Sequence, residues 1–85
     1  MKPRLSRKAR LRWDEREQAD FLLYPERGLR LNPSAAAIVR LCDGTRTVDQ
    51  IADQLAAQFA GKGTREIREE VVAFVEELRA RALIE

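Results

Sequence analysis

Apolar and polar residues alternate in the first third of the chain, and this pattern predicts three short β-strands. The alternation covers residues 9–13 and 29–31, and an apolar run, Phe21–Tyr24, lies between them. Successive side chains of a strand point to opposite faces, so the alternating segments each have one apolar and one wet face. Residues 25–28, Pro-Glu-Arg-Gly, are typical of a turn and predict a hairpin between the second and third strands.

The remainder of the chain has apolar residues at helical spacing, which predicts three helices, over about 33–42, 48–60 and 65–81. Asn32 before Pro33 is typical of a helix start, because the Asn side chain accepts from free N–H groups and Pro lacks one. Thr47 and Gln50 form a capping-box pattern at the start of the second helix.

The sequence predicts how the last helix begins and how it ends. Thr64 is predicted to be its N-cap, and Gly61-Lys62-Gly63 separates it from the second helix. At the other end, Arg81-Ala82-Leu83 offers no glycine to stop the helix. An alanine is strained in the left-handed cap conformation, so we expect this end to fray or to continue as a helix.

The order of the predicted elements defines the fold class. Three strands followed by three helices indicate an α+β protein in which a three-stranded antiparallel sheet packs against a helical layer. A chain of 85 residues is expected to form one domain. We expect residues 9–85 to be that domain and residues 1–8 to be a basic, flexible arm.

The charge distribution is uneven. Residues 1–12 contain six basic and no acidic side chains, whereas the whole chain has a net charge of only +2. The arm therefore either contacts nucleic acid or an acidic partner, or is a solvated terminus. Both interpretations stay open from sequence.

The composition argues against most enzyme classes, although paired carboxylates such as Glu69-Glu70 and Glu76-Glu77 leave acid–base chemistry open. The chain has no histidine and one cysteine, Cys42, so an imidazole base, an intramolecular disulfide and a cysteine zinc site are all missing. We expect Cys42 to be a buried structural residue. We therefore predict a noncatalytic protein without a metal or other cofactor. No apolar run is long enough to span a membrane and no signal peptide is visible, so a cytoplasmic location is expected.

Several short motifs carry a resemblance to a known family. They are Tyr24-Pro25-Glu26, Gly28, Leu31-Asn32, the run Ala35-Ala36-Ala37, Leu41-Cys42-Asp43-Gly44 and Ile51. In these residues the chain resembles the PqqD family, the peptide chaperones of pyrroloquinoline quinone (PQQ) biosynthesis. The resemblance implies a winged-helix-like recognition element for a ribosomally made, modified (RiPP) precursor peptide like PqqA. It also implies a radical S-adenosylmethionine (SAM) partner enzyme like PqqE.

The resemblance also implies a binding site. Relatives hold the precursor between the third strand and the last helix, by addition of the peptide to the strand edge. Carried over to this chain, the expected peptide-binding residues are Leu29, Arg30, Leu31, Ile67, Arg68, Val71, Phe74 and Val75. The alternative for the apolar members is that they form only core.

Two other functions compete with peptide binding. A winged-helix-like fold also occurs in DNA-binding transcriptional regulators, but the last helix offers four arginines, counting Arg81, against five glutamates. We therefore expect no DNA partner. A strand edge that accepts a peptide also accepts a second copy of the chain, so the sequence leaves a homodimer open.

Overall fold

The computed structural model of the chain describes residues 2–59, 61 and 63–85. It has three strands, β1 (Arg10–Asp14), β2 (Ala19–Tyr24) and β3 (Arg27–Leu31), and three helices, α1 (Pro33–Leu41), α2 (Val48–Gln58) and α3 (Thr64–Ala80). The strands form one antiparallel sheet in the order β1-β2-β3. The predicted α+β order is confirmed. The predicted end of the second helix, Ala60, lies outside the described residues, as does Lys62.

The predicted caps of the first two helices are confirmed. The Asn32 side chain accepts a hydrogen bond from the Ala35 N–H at 2.8 Å. Thr47 and Gln50 form a reciprocal capping box, with bonds of 2.8 and 3.1 Å. These bonds satisfy N–H groups that have no partner inside the helix.

The prediction for the start of α3 is wrong. Gly63 occupies the N-cap position, and no side chain caps the helix there. Thr64 is the first helical residue, so its hydroxyl is one position too late to accept from the first-turn N–H groups.

The prediction for the end of α3 is also wrong, because the helix stops in a defined turn. Ala82 adopts a left-handed conformation with φ of 60°. The Leu83 N–H donates to the Leu78 carbonyl at 2.8 Å and the Ala82 N–H to the Arg79 carbonyl at 2.9 Å. This pair of bonds is a Schellman motif.

The core lies between the sheet and the helices, in two adjoining clusters. One joins α1, α2 and α3 through residues such as Ile51, Leu55 and Val71. The other joins the sheet to α1, to α3 and to the segment after α3, through Leu22, Val39, Leu78 and Leu83. Phe74 packs against both clusters. Trp13, expected on the apolar face of the first strand, is 48% exposed.

The segment before β1 is hydrogen bonded to two other parts of the chain. The Leu5 N–H donates to the Cys42 carbonyl at 2.9 Å, and the Ser6 N–H donates to the Leu83 carbonyl at 2.7 Å. Pro3 is fully buried. The flexibility expected of residues 1–8 stays a prediction, and these contacts argue against it.

Candidate functional site

The free edge of β3 is the first component of the site. β3 pairs with β2 on one side, and no other described strand pairs with it. Tyr24 and Arg27 flank a two-residue loop, so the turn hydrogen bond joins this pair. Because antiparallel pairs alternate between bonded and unbonded, Leu29 and Leu31 direct their backbone groups towards β2. Gly28 and Arg30 therefore direct theirs towards the open edge.

A groove of about 350 Å³ runs alongside this edge, between β3 and α3. Its apolar lining comes from three elements: β3 supplies Leu29 and Leu31, α1 supplies Ala35 and Ile38, and α3 supplies Ala73 and Phe74. An extended chain added to β3 would place alternate side chains over this lining, since strand side chains alternate between faces. The groove thus joins a hydrogen-bonding edge to an apolar surface.

The charged groups of the groove have partners within the chain. Arg30 forms an ion pair with Glu17 at 2.6 Å, and Glu77 forms one with Arg81 at 3.5 Å. Glu70 accepts a hydrogen bond from the Ser34 hydroxyl, which connects the first turn of α1 to α3. Of these three contacts, the Ser34–Glu70 hydrogen bond is the one that joins two elements of the groove lining, α1 and α3.

The eight residues expected to bind peptide fall into three groups. Leu29, Arg30, Leu31 and Phe74 line the groove together. Ile67, Val71 and Val75 are buried in the helical core cluster, and their side chains leave no surface for a peptide. Arg68 is exposed and forms an ion pair with Asp49 of α2. The apolar stripe of α3 was thus correctly identified, but most of it holds the helix in place.

The groove also contains residues that the sequence interpretation missed. They are Asn32, Ala35, Ile38, Glu70, Ala73 and Glu77. On α3 the missed residues and Phe74 follow the spacing 70, 73, 74 and 77, which defines one helix face. This face lies beside the apolar stripe, so it was recognisable as a second, mixed stripe. No sequence pattern marks Ala35 and Ile38 as groove residues, because the packing of α1 against α3 brings them there.

Among the described residues, no group of three or more His, Cys, Asp or Glu side chains is arranged to hold a metal ion. Cys42 is buried, as expected, and burial together with the neighbouring Asp43 carboxylate raises the pKa of its thiol to about 11. At neutral pH this thiol is protonated and a weak nucleophile. No described helix is long and apolar enough to cross a bilayer.

Comparison with known proteins gives matches over most of the chain. The family model for coenzyme PQQ synthesis protein D (PqqD) matches residues 21–84. A relative from Rhodopseudomonas palustris (strain BisB5), named PqqA binding protein, is 43% identical over 77 residues, which cover 91% of this chain and 74% of the relative.

Two solved structures share the fold. One is the solution NMR structure of the PqqD truncation of Methylobacterium extorquens PqqCD, described as a stand-alone RiPP recognition element. It has a TM-score of 0.81 and 36% identity, covering 98% of this chain and 87% of that one. The other is lasso peptide synthetase B1 complexed with the leader peptide, with a TM-score of 0.80 and full coverage of this chain. At 17% identity, that likeness concerns the fold alone.

Proposed function

The chain belongs to the PqqD family, and on that premise we propose that it binds a PqqA-like precursor peptide and presents it to a radical SAM enzyme of PQQ biosynthesis. The role is noncatalytic and is exercised in the cytoplasm. The observation that supports it best is the open edge of β3 beside an apolar groove. An added strand gains main-chain hydrogen bonds from the edge and buries alternate side chains in the groove.

The binding site that we propose differs from the one expected from sequence. It retains Leu29, Arg30, Leu31 and Phe74 and adds the Ala35–Ile38 side of α1 and the Glu70–Glu77 face of α3. The buried residues of α3 do not contact the peptide in this proposal. Their role is to anchor α3 beside the groove by packing against α1 and α2.

The rival function, DNA binding, has little support from the charges. α3 contains three arginines and five glutamates, and α2 contains two aspartates and no basic residue. A helix that enters a DNA groove needs a surplus of Lys and Arg to neutralise phosphates. The relatives named PqqA binding protein agree with peptide as the partner.

Arg30→Pro tests strand addition at the β3 edge. Proline removes an N–H that faces the open edge, so the β2–β3 ladder stays intact and the chain still folds. Loss of this bond to the peptide and the bulk of the ring should weaken binding about tenfold. The measurement is isothermal titration with synthetic PqqA peptide from R. palustris.

Arg30→Ala is the matched control, because it removes the side chain and keeps the N–H. We expect it to bind within about threefold of the unmodified protein, since the Arg30 charge is exposed and already paired with Glu17. Equal affinity of Arg30→Pro and Arg30→Ala would reject strand addition at this edge.

A further inference from the structure

Gly28 lies within β3, at the edge where we propose that the peptide adds. The turn before it does not require a glycine, because the positive φ of 61° belongs to Glu26. The sequence interpretation had assigned Gly28 to that turn; instead it is a strand residue paired with Leu23. A strand glycine costs stability, since it has a large backbone entropy and no side chain to pack. Its place in β3 therefore calls for another reason.

The face on which Gly28 lies is opposite to the groove. Leu29 and Leu31 face inwards, so Gly28 and Arg30 face outwards, as do their β2 partners Leu23 and Phe21. Leu23 and Phe21 are only half-buried. The outer face of the sheet thus has apolar surface on its central strand, next to the open edge.

Gly28 leaves a notch between that apolar surface and the edge. A Cβ atom at this position would lie 3.4 Å from Leu23 Cδ2, so any longer side chain would fill the space beside Leu23. With glycine, the side of Leu23 that faces the edge stays uncovered. Glycines within strands commonly mark places where another chain approaches closely, and an aromatic residue on the neighbouring strand covers such a glycine well.

We propose that the Gly28 notch is a second subsite for the bound peptide, which receives a large apolar side chain, preferably an aromatic one. This inference rests on the proposed function, because it needs a strand added at β3. The peptide residue beside Gly28 forms main-chain hydrogen bonds with it and places its side chain over the notch, against Leu23. The neighbouring peptide residues point to the other face and enter the groove.

The proposal defines the chemistry of the recognised segment. It is an extended segment with an aromatic or large aliphatic residue on the outer face, directly next to an apolar residue on the groove face. The peptide is thereby held from both faces of the sheet edge. A one-residue shift of register would exchange the two faces and lose both sets of contacts, so the notch also fixes the register.

Gly28→Val tests the notch from the protein side. Valine favours a strand, so the fold is retained, but its methyl groups fill the space beside Leu23. We expect the affinity for synthetic R. palustris PqqA to fall about fivefold to tenfold, since aromatic cross-strand contact and burial are lost. The matched control is Gly61→Val, because a Cβ at that exposed glycine meets no atom within 4 Å. It should bind as the unmodified protein does.

Alanine substitutions along PqqA test the notch from the peptide side. One large apolar position should weaken binding to the unmodified protein and have no further effect on Gly28→Val. NMR should show nuclear Overhauser contacts from that side chain to the Gly28 α-protons and the Leu23 methyl groups. Contacts to the groove-facing Leu29 in their place would overturn the proposal.

The outcomes separate this inference from the function on which it rests. Unchanged affinity of Gly28→Val, together with weakened binding by Arg30→Pro, rejects the notch and keeps strand addition. Unchanged affinity of both variants rejects the notch and the β3 site together. Weakened binding by both, with Gly61→Val unaffected, supports the two proposals.

Discussion

Ala82 shows what a single residue contributes to the end of a helix. Its left-handed conformation closes the Schellman motif and directs Leu83 back into the core beside Leu78. The sequence indicated that alanine is unfavourable at this position. It predicted that the strain would prevent the turn from forming. Burial of Leu83 outweighs the strain, because burying a leucine contributes about 1.5–3 kcal/mol whereas a left-handed alanine costs about 1–2 kcal/mol.

Ala82→Gly should therefore stabilise the protein. Glycine adopts this conformation without strain, and we expect the free energy of unfolding to rise by about 1 kcal/mol. Urea denaturation followed by circular dichroism measures it. The control, Ala80→Gly, lies inside the exposed last turn of α3 and should lower the free energy of unfolding by about 1 kcal/mol. A loss of stability in Ala82→Gly would show that the motif does not form.

Glu26 and Gly28 show that strand pairing decides which residue of a turn adopts the unusual backbone conformation. The sequence pattern places both in a four-residue turn, and glycine is the residue that most readily adopts a positive φ in turns. In the structure Glu26 adopts it, and Gly28 pairs with Leu23. The pairing of β2 with β3 decides this, and pairing depends on the whole sheet rather than on the four residues.

At the scale of elements, the helix starts were predictable where a side chain forms the cap. Thr47 and Gln50 satisfy each other's backbone N–H groups, and the motif is visible in sequence. The start of α3 carries no such bond, and there the prediction was wrong by one residue. Helix boundaries without a side-chain cap are set by tertiary packing, which a local pattern does not reveal.

Two threonine substitutions compare these helix starts. Thr47→Ala should lower the free energy of unfolding by about 1 kcal/mol, because it removes the cap of α2. Thr64→Ala should change it by less than about 0.5 kcal/mol, because the Thr64 hydroxyl caps nothing. Both values come from urea denaturation under one set of conditions. Equal losses would contradict the assignment of Gly63 as the N-cap.

The candidate site was predictable in part, and α3 shows why. Apolar periodicity selects Ile67, Val71 and Val75, which the core also needs. A binding face on the same helix is mixed in character, as in the face formed by Glu70, Phe74 and Glu77, so periodicity alone ranks it below the core stripe. The β3 edge was easier, because alternation over residues 29–31 marks a strand and its place at the end of the sheet marks an edge.

At the scale of the whole molecule, the contacts of the first segment with distant parts of the chain were not predicted. Arg4 forms a β-bridge with Asp43, and Leu5 forms one with Ile84. No local pattern in the basic first segment indicates such pairing, since its charges are typical of a solvated arm. The order of strands and helices, by contrast, follows from local periodicity and was correctly predicted.

Leu83→Ala tests how far the stability of the fold depends on the packing of the segment after α3 against the rest of the chain. Leu83 is fully buried and its carbonyl accepts from the Ser6 N–H, so the cavity should lower the free energy of unfolding by about 2–5 kcal/mol. Thermal and urea unfolding measure the change. Val72→Ala, at a valine that is 44% exposed, is the control and should have an effect below about 0.5 kcal/mol. Similar values for the two variants would mean that the end of the chain contributes little.

Phe74 connects the two core clusters and also lines the groove. A peptide seated over Phe74 would become an extra layer of the hydrophobic interior, shared by both clusters. Occupancy and unfolding are then linked equilibria, since a ligand that binds only the folded state stabilises it by mass action. On the proposed function, the bound peptide would complete the part of the hydrophobic core that Phe74 leaves exposed.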